Sequence, residues 1–199
     1  MRIIELAVMI TLGATLAGCE PSSARGAAPP AAGRVDSIIP REEALRRFRV
    51  GVPPVTRLEG GASSIEGLIA AVMRALETRD TAALAGHALD RAEFAWLYYP
   101  TARQGLPPYD VEPGLLWFLL TSRSERGVRR ALAVYGGQEL RVLDHDCGSA
   151  GSSEGDNAVW GPCTVRWRDE RGDTVSQRLL SQVVERDGRY KVLSYGNKL

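Results

Sequence analysis

The chain has 199 residues, 44% hydrophobic and 25% charged, with 25 Lys and Arg against 24 Asp and Glu for a formal net charge of +1. That length fits one ordinary domain with an extension. The balanced charge offers no basic field of the kind that holds nucleic acid, so nucleic-acid binding is set aside.

At the N-terminus, Arg2 supplies a positive start, and Leu6 to Ala17 form an apolar segment that ends in small residues before Cys19. This is the anatomy of a signal peptide. A membrane-crossing helix needs about 20 apolar residues; here Glu20, Pro21 and a polar, Pro-rich segment follow instead. The quartet Leu16-Ala17-Gly18-Cys19 resembles the lipobox of bacterial lipoproteins, in which the peptidase cuts before the cysteine and the new N-terminal cysteine is acylated. Glu5, an acid at the edge of the apolar run, departs from that pattern. The resemblance runs from Met1 to Cys19 and implies a signal peptide over 1–18, palmitate-type acyl chains on Cys19, and the membrane as a partner through the anchor. Each buried CH₂ of such chains adds about 0.8 kcal/mol. Glu20, rather than Asp, after the cysteine resembles the class sorted to the outer membrane, which implies a place in the cell envelope on the periplasmic face of that membrane. Lipidation of Cys19 leaves two cysteines, Cys147 and Cys163, in a compartment where disulfides persist, and they are expected to bond to each other.

Residues 19–62 read as the lipidated cysteine followed by a tether, with Pro21, Pro29, Pro30 and Pro40 among alanines, glycines and serines. Within it, Arg41 to Arg49 can form a short amphipathic helix. Its arginines Arg46, Arg47 and Arg49 could touch an anionic membrane surface or partner; docking of Leu45 and Phe48 on the domain is the preferred account. The domain proper is expected over 63–199. Ser63-Ser64-Ile65-Glu66 has capping-box spacing, and Ile65, Leu68, Ile69, Val72, Met73 and Leu76 follow at helical spacing to about Arg79. Asp80 or Thr81 can cap a second helix through Leu84, Ala85 and Leu89. Arg91 to Tyr99 reads as a third, aromatic-rich helix stopped by Pro100. Pro113 suits the first turn of a helix carrying the apolar run Leu115 to Leu120. A separate helical segment, Ser124 to Tyr135, places Val128, Leu132 and Tyr135 on one face and leaves Arg123, Arg126, Arg129 and Arg130 wet. Such a face can recognise an acidic partner, though a charged flank is ordinarily just solvated. Gly136-Gly137 ends it.

From Gln138 the hydrophobic period becomes alternating, with four strands expected at about Glu139 to Cys147, Ala158 to Arg168, Thr174 to Glu185 and Arg189 to Tyr195. Asp187-Gly188 marks a two-residue hairpin that pairs Val183 with Val192 and Glu185 with Tyr190. Pairing the first two strands so that Cys147 faces Cys163 also sets Asp144 opposite Arg166 and Leu143 opposite Trp167, so three kinds of pair agree on one register. The cystine would then close a Gly/Ser-rich loop from Gly148 to Asn157. Helices followed by an antiparallel meander indicate an α+β fold, N-terminal helices on a curved four-stranded sheet. This order, with the segment Ala75-Leu76-Glu77-Thr78-Arg79-Asp80-Thr81-Ala82-Ala83-Leu84, resembles the nuclear-transport-factor-two-like superfamily from about Ser63 to Tyr195. The resemblance implies a cone-like domain with an apolar pocket, used for catalysis in some members and for binding or assembly in many.

The chemistry available is thin. His87 and His145 are the only histidines and are not paired by any metal-ligand spacing. His87 with Tyr98 or Tyr99 could serve as an acid-base pair of the isomerase or dehydratase kind, but the first helix offers no acid or tyrosine within its apolar stripe. No phosphate loop, nucleophile elbow or Cys–His pairing is present. No catalytic residue, metal or cofactor is therefore assigned. The expected function is binding of a small apolar ligand or another envelope protein, with a pocket enzyme as the alternative. The expected lining is Phe94, Trp96, Tyr98, Tyr99, Trp117 and Phe118, since such side chains are core by default but also line ligand cavities.

Overall fold

The computed structural model describes residues 39–148, 151–197 and 199, and Cys19 with the signal region lies outside them. A compact unit runs Ile38–Leu199. Its helices are α1 (Arg41–Phe48), α2 (Ile65–Glu77), α3 (Thr81–Gly86), the single turn α4 (Arg91–Glu93) and α5 (Pro113–Tyr135). Its strands are β1 (Arg141–Asp146), β2 (Ser152–Glu154), β3 (Asn157–Trp160), β4 (Cys163–Arg168), β5 (Thr174–Leu180), β6 (Gln182–Arg186) and β7 (Arg189–Ser194). They form two antiparallel sheets, β1-β4-β5 and β2-β3-β6-β7. The fold is thus mixed α+β, but with two sheets of three and four strands in place of one sheet of four. The expected second strand is interrupted at Gly161-Pro162 and the third at Ser181. Gly161 has φ +125°, and a side chain there would run into the Ser181 backbone, so the interruption is tied to a glycine. β2, which pairs with β3, falls in the stretch between the cysteines where a loop is expected from the glycines and serines.

The registers follow the sequence closely. Val183 pairs with Val192 and Glu185 with Tyr190 across the hairpin. Asp144 lies opposite Arg166, whose guanidinium forks onto its carboxylate with one contact of 2.6 Å. Cys147 and Cys163 form a disulfide. The expected Leu143–Trp167 pair is replaced by Val142–Trp167, because a bulge between Val142 and Asp144 pushes Leu143 out of the ladder.

Helix ends have local causes. Ser64, rather than Ser63, caps α2 by accepting from Gly67 N at 3.0 Å, and Asp80 caps α3 through Ala83 N at 2.8 Å. The reciprocal capping box occurs at Asp90 and Glu93. After α4 the chain widens into a π-turn over Phe94–Tyr98, so the expected helix from Arg91 to Tyr99 is neither regular nor long. The two segments expected from Pro113 to Tyr135 are one helix of 23 residues. No Gly-Pro signal interrupts it, and Ser122 and Ser124 are tolerated within a long helix.

Two cores lie on opposite faces of β6 and β7. The first joins Leu68, Ile69, Val72, Met73 and Leu76 of α2 to Val165, Trp167, Val183 and Val192. The second joins Leu45, Phe94, Tyr98, Tyr99, Leu116 and Leu120 to Val184 and Leu193. Consecutive strand residues serve different cores because strand side chains alternate faces. α5 spans both, with Leu116 and Leu120 in the second core and Ala131 in the first. Residues 41–62 belong to the compact unit: Leu45, Val52 and Leu58 are buried, and Ala62 bridges to Tyr190. Arg41 donates to Gly105 O, Tyr99 O and Pro100 O at 2.6, 3.1 and 2.7 Å. α1 therefore docks through Leu45 and Phe48, with the Phe48 ring 5.6 Å from Phe94.

Candidate functional site

A cleft of about 410 Å³ opens between α3 and α5. Thr81, Leu84 and Ala85, at the i, i+3, i+4 spacing of one face of α3, form one wall together with Ala88, which lies just past the helix and bridges to Val192. Thr121, Ser124, Glu125 and Val128 of α5 form the other at i, i+3, i+4, i+7 spacing, with Arg129 at the rim and Tyr195 at the base.

The polar atoms of the cleft are held by the fold. Tyr195 donates its hydroxyl hydrogen to Leu84 O at 2.8 Å, and burial pushes that phenol well above the usual tyrosine range. Tyr195 N donates to Ser124 Oγ at 3.1 Å, which leaves the Ser124 hydrogen available to an acceptor in the cleft. The Thr121 hydroxyl is turned back on its own helix, 2.9 Å from Trp117 O and 3.2 Å from Phe118 O. Tyr195 reaches this place because Gly127 lies against its backbone: a side chain at Gly127 would overlap the Tyr195 carbonyl, and Asn197 donates to Gly127 O at 2.9 Å.

The aromatic residues expected to line a pocket are distributed differently. Phe94, Tyr98 and Tyr99 are buried, and Trp117 packs against Phe94 with ring centroids 5.1 Å apart. Trp96 sits at the margin under the Arg49 guanidinium, 3.9 Å from its ring centroid. Phe118 is turned to solvent and is 62% exposed. The structure thus brings four of the six together as packed core. None of the six lines the α3/α5 cleft or the three other clefts described, which are formed by residues around Arg74, Arg57 and His145. The signal missed in the sequence was the run of Thr81, Ala85 and Ala88 facing Thr121 and Ser124, which by itself reads as an ordinary helix flank.

No family model, curated protein or solved structure matches the chain.

The titratable groups are scattered. His87 and His145 lie in different clefts. Burial, with the nearby Lys191 charge second, pushes His87 below the usual imidazole value. His145 Nε2 lies 3.7 Å from the Glu66 carboxylate. Among the described residues no group of three His, Cys, Asp or Glu side chains converges as metal ligands, and no helix is long and apolar enough to cross a membrane. Inside the second core Tyr98 donates weakly to Gln104 Oε1 at 3.4 Å, close to the Glu154 carboxyl. Burial raises both groups, and Glu154 Oε2 has no hydrogen-bond partner.

A buried ion pair was invisible in the sequence. Lys191 Nζ donates to Glu93 Oε1 and Oε2 at 3.0 and 2.7 Å and to Glu59 O at 3.0 Å. Glu93 also accepts from Glu59 N at 2.7 Å and Asp90 N at 2.9 Å. Every ammonium hydrogen and both carboxylate oxygens are therefore engaged. The cluster ties β7, α4 and the segment before α2 together; it is structural, since its groups are already saturated by one another.

Proposed function

We propose that this is a lipid-anchored envelope protein, held through Cys19, whose domain binds a small, largely apolar ligand in the α3/α5 cleft without chemistry. The observation that carries the reading is the cleft. Its volume falls in the range of ligand sites, roughly 300–1,000 Å³, and its lining combines apolar walls with a few placed polar atoms. A ligand suited to it has an apolar body and one hydrogen-bond acceptor for the free Ser124 hydroxyl hydrogen, with Arg129 and Glu125 at the mouth. Removing apolar area from water supplies about 25 cal/mol per Å², and this drive needs no titrating group. The cone-like arrangement is part of the proposal. Its support is that β3 and β4 are separated only by Gly161-Pro162 and β5 and β6 only by Ser181, so each pair can act as one bent strand beside α2.

The test is native mass spectrometry of the protein isolated from envelope membranes. A non-covalent apolar adduct is expected, and Ala85→Trp, which adds bulk from an exposed position on the cleft wall, should remove it. An adduct unchanged by that substitution places the ligand elsewhere; no adduct in either form favours another envelope protein as the occupant. A pocket enzyme is the second reading, favoured by the raised Tyr98 and Glu154 pair. It stands second because both groups are buried in the second core and neither lines the cleft.

A further inference from the structure

We propose that the solvent face of α5 is a membrane-contact surface that lays the domain on an anionic phospholipid bilayer. The reading rests on the anchor at Cys19 and adds to it a second, weaker point of attachment. Leu115, Phe118, Leu119, Ser122, Arg126 and Arg129 recur at the i, i+3, i+4, i+7, i+11, i+14 spacing of one continuous helical face. Leu115 is 52% and Phe118 62% exposed, an unusual position for large apolar side chains on a helix whose opposite side already fills two cores. One turn further on the same face becomes basic: Arg123, Arg126, Arg129 and Arg130 are exposed, and none makes an ion pair among the described residues. Glu125 is the only acid in the helix. An apolar patch beside a cluster of arginines is the composition that binds at an anionic lipid interface, with apolar groups sunk about 5–10 Å into the headgroup region.

The position of the anchor supplies the partner. The described chain begins at Ile39, and Arg41 is pinned to Gly105 O and Pro100 O, beside the N-terminal half of α5, where Leu45 shares a core with Leu116. Between Cys19 and Ile39 the sequence is rich in Pro, Gly and Ser. Nineteen residues separate Cys19 from Ile39, and a flexible linker of that length would span roughly 25 Å. An acylated Cys19 would therefore hold this end of the domain close to the bilayer, within reach of Phe118.

The test uses the full-length lipoprotein carrying Phe118→Cys, modified with an environment-sensitive fluorophore. Acylation of Cys19 and the Cys147–Cys163 disulfide leave the new thiol as the only one to label. The same label at Glu170→Cys, in the β4–β5 turn, is the control. In vesicles of phosphatidylcholine and phosphatidylglycerol mixed two to one, the label at position 118 should shift to the blue and be quenched by brominated lipid, while that at 170 should not. Replacing Arg123, Arg126, Arg129 and Arg130 with Gln, or raising salt to about 1 M, where the screening length is about 3 Å, should abolish the difference; circular dichroism checks that the variant is folded. Equal responses at 118 and 170, or an equal response at 118 in pure phosphatidylcholine, would overturn the proposal. Flotation of the unlabelled protein separates the two readings. Flotation with a silent label at 118 leaves the anchor and removes the surface, whereas failure to float removes both.

Discussion

Lys191 is the position at which one substitution most sharply tests the account of the packing. Lys191→Met keeps the length and apolar stem of a side chain only 3% exposed, and so isolates the loss of the ammonium group. Three hydrogen bonds disappear, and Glu93, with no exposed surface, becomes a buried carboxylate without its counter-charge. Breaking one side of such a pair costs about 3–5 kcal/mol. The two backbone donors left on Glu93, from Glu59 and Asp90, place the expected loss near the lower end, about 3 kcal/mol. For a domain of this size that corresponds to a fall in Tm of roughly 6–12 °C. Urea unfolding of Lys191→Met, Glu93→Gln and the double variant, followed by circular dichroism, measures the pair directly. The double variant should cost much less than the sum of the singles. A Lys191→Met loss below about 1 kcal/mol, or additive singles, would refute the reasoning.

Gly127→Ala should destabilise the domain by about 1–3 kcal/mol despite its better helix propensity, because the new methyl overlaps the Tyr195 backbone; thermal unfolding checks this, and a stabilised variant would contradict it. Glu154 has its carboxyl raised by burial, so its contribution to stability is complete below the unfolded value, near 4.5, and is lost as pH rises through the folded one. Glu154→Gln should therefore gain stability over wild type at pH 7 and flatten that part of the pH profile. His87 is depressed, so its contribution is lost as pH falls from about 6.5 towards the folded value, and His87→Gln should remove that acid-side loss in a denaturation series. His87→Ala and His145→Ala should leave any cellular phenotype intact, whereas Cys19→Ala should leave the protein uncleaved by the lipoprotein peptidase or release it from membranes; intact mass and membrane fractionation report these outcomes.

What the sequence made legible was local and periodic. The Asp187-Gly188 turn sets the β6–β7 register, and the charge pair Asp144–Arg166 and the cystine agree on that of β1 and β4, because each is decided by neighbours on one strand pair. A single residue was enough to defeat the same logic at Leu143, since a bulge inserts one residue into the ladder and shifts both the register and the alternation there. Lys191 escaped notice for another reason. Strand alternation puts it on the face opposite Val192, and that face looks solvated until a second core, built from α1, α4 and the start of α5, is known to cover it. Its partner Glu93 is 98 residues away. Of the six aromatics Phe94, Tyr98 and Tyr99 are buried and Phe118 is exposed, and side-chain type does not say whether facing rings interlock, as Phe94 and Trp117 do, or leave space. The space lies instead between Leu84, Ala85 and Ala88 on one side and α5 on the other.

The most direct measurement is a titration of 1-anilinonaphthalene-8-sulfonate into the chain lacking residues 1–19, with the Ala85→Trp and Phe118→Ser variants alongside it. The account predicts a saturable fluorescence increase at one site, weakened about tenfold or more by Ala85→Trp at unchanged Tm, a loss of about 1.4 kcal/mol, and left as it was by Phe118→Ser. An isotherm that Ala85→Trp does not alter, or one that Phe118→Ser abolishes, would contradict the claim that the cleft between α3 and α5 is the binding site.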